Sequence, residues 1–310
     1  MNFQQLEYIV AVNEQRHFAK AAEKCFVTQP TLSMMINKLE EELGVKIFDR
    51  SKQPVLPTRE GEEIIKRAKV LISEAGHLKG YANEIRGEMS GELRIGIIPT
   101  LAPYLLPLFL KTFHEKYPLL KIYVKEMVTD EIIERLGRGE VDIGLLATPT
   151  AEPRLDEHPL FYEEFFVYAS KTEKLPKKKY LLAKQIDINH LWLLEEGHCL
   201  RNQVFNLCEL KKKDYERLNY EAGSIETLIN LVDHSDGITI IPRLAELRLT
   251  AGQKKNIREF ANPKPVREIS LVVIKDFPRK KILEQLREII VKSVPEEMLA
   301  GKQKKVTSIQ

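Results

Sequence analysis

The sequence predicts an α+β chain of several domains, and three observations carry this reading. Short amphipathic helices and two short strands crowd into the first 58 residues. An apolar repeat with alternating four- and three-residue spacing follows. Strand-like and helix-like runs then alternate from about residue 91 onward. The 310 residues fit two or more domains at roughly 150 residues each. A hydrophobic share of 43% with 30% charged residues belongs to a globular chain and excludes disorder and collagen-like repeats. The net charge of +3, from 48 Lys+Arg against 45 Asp+Glu, is too small to argue for nucleic acid or membrane by bulk charge.

In chain order, Leu6, Ile9, Val10, Ala11 and Val12 predict a first amphipathic helix. Residues His17 to Cys25 predict a second, with Phe18, Ala21, Ala22 and Cys25 at helical spacing. Thr28 stands where an N-cap belongs, and Pro30 is tolerated in the first turn of a third helix. The buried stripe of that helix is Leu32, Met35, Ile36, Leu39 and Leu43, and Gly44 stops it. Val45 to Arg50 and Val55 to Thr58 fit two short strands around a turn at residues 51–54, which completes a winged helix-turn-helix.

Two helices joined by a tight turn suit DNA because the second enters the major groove, N-terminal residues leading. Gln29, Thr31 and Ser33 are placed to meet base edges or phosphates. Lys38, Arg50, Lys52 and Arg59 are placed to hold the backbone. Residues 1–90 hold 13 basic and 13 acidic side chains, so the pattern alone leaves a plain helical packing module open beside a DNA-binding one.

The run from Phe18 to Arg50 resembles the DNA-binding head of LysR-type transcriptional regulators. The matching residues are Ala21-Ala22, Thr28-Gln29-Pro30, Leu32-Ser33, Ile36, Leu39-Glu40 and Leu43-Gly44, with Leu56 to Thr58 around the wing. The resemblance implies that Thr28, Gln29, Pro30, Thr31 and Ser33 meet double-stranded promoter DNA. Met34, Met35 and Asn37 depart from the family pattern, where polar or basic groups are frequent.

Thr58 is positioned to cap a long helix reaching about Arg86. Ile64, Ala68, Leu71, Ala75, Leu78, Ala82 and Ile85 repeat at four and three residues, the spacing of a coiled-coil seam. This predicts a homodimer through residues 59–90, against the alternative of a helix packed on its own domain. A dimer presents two recognition helices to half-sites one helical turn, or a multiple of it, apart.

Beyond a hinge at Gly87 to Gly91, strand-like runs occur at 93–98, 122–126, 143–147, 165–170, 191–195, 218–221, 238–241 and 269–274. Helical runs occur at about 102–116, 129–138, 225–234 and 279–293. This alternation predicts an α/β region with mostly parallel sheets. The family resemblance continues in Gly96 to Thr100, Leu136 to Asp142 and Gly237 to Pro242. It implies a two-lobed, periplasmic-binding-protein-like effector domain over 91–310, with one lobe at about 91–163 and 268–300 and the other at about 164–267. The crossing strands are expected near residues 163 and 267. Lys177 to Lys179 and Lys211 to Lys213 read as solvated loops, and the tail after Pro295 as a polar terminus.

The stretch from Ile95 to Leu110 is uncharged but short for a membrane span, and Pro99, Pro103 and Pro107 interrupt it. The first ten residues lack a basic, signal-type start. The expectation is a cytoplasmic protein without a membrane partner. No metal-ligand array or nucleotide-binding loop appears, so neither a metal nor another cofactor is expected.

Three cysteines do not make a secreted disulfide framework. Cys25 continues the apolar stripe of the second helix and reads as core. Cys199 follows His198 and precedes Arg201 at the start of a helical stretch, a setting that favours the thiolate. Cys208 lies among Val204, Phe205 and Leu207. The residues alone leave two readings open: inert packing, or a reactive thiol with a resolving partner. If residues 200–208 are helical, the pair is roughly 13 Å apart, and a disulfide needs Cα atoms within about 7 Å.

Gly197 to Arg201, Cys208 and Ser224 to Leu228 resemble the peroxide-sensing members of the LysR group, and the resemblance spans nearly the whole chain to about Val294. It implies that Cys199 is the peroxidatic residue and Cys208 its disulfide partner. It also implies that Thr100, Thr129 and His198 line the hydrogen peroxide pocket, with Arg267 and Arg201 as electrostatic partners. The expected protein is therefore not an enzyme. It is a peroxide-responsive activator and homotetramer that recruits RNA polymerase and is reset by a cellular thiol reductant. A LysR-type regulator of a small metabolite bound between the lobes, and a thiol peroxidase, are the alternatives.

Overall fold

The computed structural model describes residues 1–173, 180–209, 222–299 and 305–306. The expected strand at 218–221 and the lysine runs at 177–179 and 211–213 lie outside the described residues. The chain divides into two compact units: residues 1–91 with 134–141, and residues 92–133 with 142–310.

The first unit begins with α1 (Phe3–Gln15), α2 (Phe18–Lys24) and α3 (Gln29–Leu43). A small wing, β1 (Phe48–Asp49) and β2 (Leu56–Pro57), leads into α4 (Arg59–Ile85). Local chemistry sets these boundaries. Asn2 and Gln5 form a reciprocal capping box on α1, and the Thr28 hydroxyl accepts from the Thr31 N–H at the start of α3. Gly44 ends α3 at φ +68°, a left-handed conformation without penalty for glycine. The core joins Leu6, Ile9, Val12, Ala21, Ala22, Leu32, Ile36 and Leu39 to Ile47, Phe48, Ile65 and Ala68.

Two expectations need correction here. Leu43 is 39% exposed and does not extend the buried stripe of α3. Glu40 is buried instead, its Oε1 accepting from the N–H groups of Ile47 (2.8 Å) and Phe48 (3.2 Å). A carboxylate that holds the wing backbone is worth burying, whereas the leucine beside the helix end stays partly open to solvent. The wing strands are also two residues each, shorter than the sequence pattern indicated.

The first turn of α4 lies against the wing. The Thr58 hydroxyl accepts from Gly61 N–H (2.9 Å) and donates to the Lys46 carbonyl (2.6 Å). A Cβ on Gly61 would stand 2.0 Å from the Ile47 carbonyl oxygen. Backbone cannot retreat as a flexible side chain can, so Gly61→Ala is expected to lower the stability of this unit by about 1–3 kcal/mol or more. Urea unfolding checks this, and an unchanged midpoint would contradict the close approach.

The second unit holds β3 (Gly91–Ile97, its first residue at the unit boundary), α5 (Ala102–Lys116), β4 (Leu120–Glu126) and α6 (Thr129–Gly137, shared with the first unit). It continues with β5 (Ile143–Thr148), β6 (Leu155–Ala169), β7 (Tyr180–Leu181), α7 (Cys199–Leu207), α8 (Ile225–His234) and β8 (Ile238–Pro242). Last come α9 (Arg243–Leu247), β9 (Ile257–Phe260), β10 (Pro265–Ile274), α10 (Lys280–Ser293) and β11 (Lys305–Val306). The strand order is β4-β3-β5-β10-β6-β9-β7, with β8 on β6 and β11 on β10.

The expected predominance of parallel pairing is not what forms. β3 and β5 are parallel, but β10 runs antiparallel to β5 and β6, and β6 antiparallel to β8 and β9. The reason is that β6 and β10 are long strands passing in opposite directions, so each brings antiparallel neighbours into the sheet. Their register sets Glu163 opposite Arg267. Residues 191–195 do not form a strand. They make only isolated bridges, from Leu191 to Ile238 and from Leu194 to Ala222.

Candidate functional site

Two regions carry the expected functional residues, one in each unit. In the first, α3 presents its N-terminal turn to solvent: Thr28, Gln29, Pro30 and Thr31 are exposed, Ser33 is half-buried and Lys38 exposed. Arg59, the first residue of α4, is also exposed. Lys52 lies 3.7 Å from Asp49. Arg50 is more constrained than expected. It donates to Ser33 Oγ (3.0 Å) and Asn37 Oδ1 (2.6 Å), and its guanidinium lies 4.8 Å from the centre of the Phe18 ring. Sequence reasoning missed Phe26, 96% exposed at a positive φ in the turn between α2 and α3. The break in helical spacing there was its one signal.

Along α4 the expected seam divides. Leu71, Leu78 and Ile85 are 44%, 67% and 70% exposed, and Ala82 is exposed with them. Ala75 is half-buried. Ala68, by contrast, is buried in the head core, and Ile64 packs against that core. The first turns of α4 therefore serve their own unit, because α1 covers them, and the free apolar stripe begins at Leu71.

In the second unit, the turns that begin three helices carry the expected pocket residues. Thr100 precedes α5, Thr129 opens α6 and Cys199 opens α7. Thr100 is 2% exposed. It accepts from Arg267 Nη1 through Oγ1 (2.9 Å) and from Nη2 through its carbonyl (3.3 Å). Arg267 is itself fully buried and paired with Glu163 Oε2 at 2.7 Å, while Glu163 Oε1 accepts from the Leu244 N–H at 2.8 Å. Glu163 was not anticipated. A carboxylate between Phe161 and Phe165 was the available signal, since such a group is buried only with a partner.

Cys199 is 6% exposed. Burial pushes its thiol pKa up. The Arg267 charge, the Thr129 hydroxyl and the backbone N–H groups of Leu200 and Cys199 pull against that by favouring the thiolate. The helix N-terminus acts in the same sense. Thr129 Oγ1 and His198 Nδ1 are both buried, Thr129 with the Cys199 sulfur beside it, and His198 Nε2 lies 3.5 Å from Glu195 Oε1. The structure thus joins Thr100 to Cys199 through Arg267, sets Thr129 beside the thiol and places His198 immediately before it.

Arg201 donates to the Leu194 carbonyl (2.6 Å) and lies over the Phe205 ring. Tyr104 was also missed. Its hydroxyl is buried near Glu226, Glu163 and Arg267, and burial pushes its pKa up.

Cys208 ends α7 and is a free thiol, as are Cys199 and Cys25. The helix separates Cys199 and Cys208 by roughly 13 Å. Burial pushes Cys208 from 9.0 up to about 12. The folded form therefore holds this proton more tightly than the unfolded chain. The stabilisation is full below pH 9 and is lost as pH rises toward about 12. Urea unfolding should show a loss of about 1 kcal/mol by pH 10 that Cys208→Ala lacks. Equal pH slopes in the two proteins would contradict it. Cys25 is half-buried at the end of α2, its thiol pushed up by burial and by Glu7, as a core residue requires.

Among the described residues, no group of side chains is arranged to hold a metal ion, and no helix is long and apolar enough to cross a membrane.

Fold and site together define a helix-turn-helix DNA-binding regulator joined to a two-lobed α/β effector domain. Residues 3–62 match the bacterial regulatory helix-turn-helix protein model of the LysR family, and residues 86–295 match the LysR substrate binding domain. The chain belongs to the LysR family of transcription regulators. It is 35% identical over 299 residues to the hydrogen peroxide-inducible genes activator of Haemophilus influenzae, covering 95% of this chain and 98% of that one. It is 36% identical over 290 residues to the DNA-binding transcriptional dual regulator OxyR of Escherichia coli, covering 94% and 95%. A full-length OxyR variant from Pseudomonas aeruginosa superposes with a TM-score of 0.78 at 31% identity, covering 95% of this chain and 99% of that one. A hydrogen peroxide-bound OxyR variant from Corynebacterium glutamicum superposes with a TM-score of 0.61 at 29% identity, covering 94% and 92%.

Proposed function

We propose that this chain is a hydrogen peroxide-responsive transcription activator switched by a reversible Cys199–Cys208 disulfide. The observation that carries this reading is the placement of Cys199. It is a buried thiol at a helix N-terminus, next to the Arg267 charge and beside two buried polar groups, Thr129 and His198, that have capacity for a small polar molecule. In the first step the Cys199 thiolate attacks one peroxide oxygen. The S–O bond forms, the O–O bond breaks, and the leaving hydroxide takes a proton to become water. Cys208 then attacks the sulfenic sulfur, forming the disulfide and releasing a second water. Thr100, Thr129 and His198 supply hydrogen bonds to peroxide, and Arg267 stabilises negative charge on sulfur and on the departing oxygen.

The second step is the conformational one. Thiols roughly 13 Å apart on an intact helix cannot bond, so α7 must unwind or shift before the disulfide closes. A two-electron oxidation thereby becomes a change of shape. The relatives' names supply peroxide as the inducer, and the shared family supplies DNA as the target. In this reading Thr28, Gln29, Pro30, Thr31 and Ser33 meet base edges or phosphates, and Lys38, Lys52 and Arg59 hold the backbone. Arg50 acts through Ser33 and Asn37. Leu71, Ala75, Leu78, Ala82 and Ile85 form the dimer seam, dimers pair into a tetramer, and the oxidised tetramer recruits RNA polymerase. In this reading the two lobes divide near residues 163 and 267. The protein works in the cytoplasm, where a thiol reductant resets it, and as a switch, not as a turnover enzyme.

The test is peptide mass spectrometry with differential thiol labelling after one equivalent of peroxide for seconds. A Cys199–Cys208 crosslink with Cys25 still free is the expected result. Three free thiols at that dose would overturn the peroxide reading and move attention to a small ligand in the effector domain.

A further inference from the structure

Met34 points out of α3 with 61% of its surface exposed, whereas Met35 is half-buried against the head core. Positions three and four apart on a helix are neighbours, so Pro30, Thr31, Met34 and Lys38 share one face, and all four are exposed. The polar residues flanking Met34 are already engaged: Arg50 holds Ser33 Oγ at 3.0 Å and Asn37 Oδ1 at 2.6 Å. The centre of this face is therefore an uncharged, flexible thioether with an apolar terminal methyl. A side chain of that kind cannot donate to a phosphate or to guanine. The base feature it matches in the major groove is the C5 methyl of thymine.

We propose that Met34 is a specificity-determining residue that reads a thymine methyl group in each half-site. The inference rests on α3 being the recognition helix. Its neighbours on the same face divide the labour: Lys38 supplies charge, Thr31 a hydroxyl, and Met34 the apolar contact that distinguishes thymine from cytosine or uracil.

The experiment uses the full-length protein. An operator is first recovered by selection from random-sequence duplex DNA, and thymines in it are then replaced one by one with deoxyuridine, which deletes only the methyl group. Wild-type affinity is expected to fall about fourfold at one thymine per half-site, the worth of one buried methyl group. Met34→Ala removes the contact in both half-sites, so it should bind the thymine operator about sixteenfold more weakly and be indifferent to uracil at that position. Its salt dependence should be unchanged, because no phosphate contact is removed. Failure to enrich any sequence would overturn sequence recognition by α3, and the thymine reading with it. An enriched operator whose uracil forms bind wild-type protein equally well, or Met34→Ala retaining full uracil sensitivity, would overturn the thymine reading alone.

Discussion

Replacing Cys199 by serine is expected to abolish peroxide-dependent promoter activation, while DNA binding by the reduced protein persists. Serine keeps the shape of the buried side chain but supplies a hydroxyl that peroxide does not oxidise. Cys208→Ser should behave differently. Cys199 still reaches the sulfenic acid, but the stable disulfide does not form. The contrast follows from environment. Cys199 sits beside Arg267 and the backbone N–H groups of a helix start, whereas burial pushes Cys208 up to about 12. Reporter induction with and without peroxide, alongside sulfenic acid trapping, measures both variants. Full induction in Cys199→Ser would refute the switch.

Replacing Arg267 by methionine is expected to have the largest effect on stability. Arg267 and Glu163 are both fully buried, and their charges meet at 2.7 Å. Removing the cation leaves Glu163 in the interior beside the Leu244 N–H without its counter-charge. A broken buried pair costs about 3–5 kcal/mol. The double variant Arg267→Met, Glu163→Leu should recover most of that loss, since apolar replacements of a whole buried pair are often neutral. Peroxide reactivity should not recover with it. Arg267 is the largest influence favouring the Cys199 thiolate, and the rate of oxidation follows the thiolate fraction. A fall of roughly tenfold in the rate of sulfenic acid formation corresponds to one unit of thiol pKa below that pKa. Urea unfolding and rapid trapping read the two effects separately. A double variant that regains both stability and reactivity would show that Arg267 only braces the fold.

Much of the head was legible in the sequence because its determinants are local. Thr28 caps α3, Gly44 ends it, and Leu32, Ile36 and Leu39 recur at helical spacing, so the helix and its inner face follow from neighbours in the chain. Leu43 and Glu40 were not assigned correctly on the same grounds. Hydropathy says nothing of two wing N–H groups that need an acceptor, and it is these that bury Glu40. The α4 repeat was legible as a period but not as an address. Ala68 and Ala82 occupy equivalent positions, yet α1 covers the first and leaves the second exposed.

By itself the sequence determined the order of domains, the helices and their caps, the cysteine at the start of a helix and the family to which the chain belongs. Each of these rests on side-chain types at short spacing, where propensity, capping and periodicity act. Tertiary structure alone decided the antiparallel crossing of β6 and β10, and with it the pairing of Glu163 to Arg267. It also decided that Arg267, distant in the chain, favours the Cys199 thiolate. These partners lie far apart in the chain, and register between distant strands is fixed by packing and by the need to neutralise buried charge. A basic residue 68 positions distant in the chain acts on the charge of the thiol.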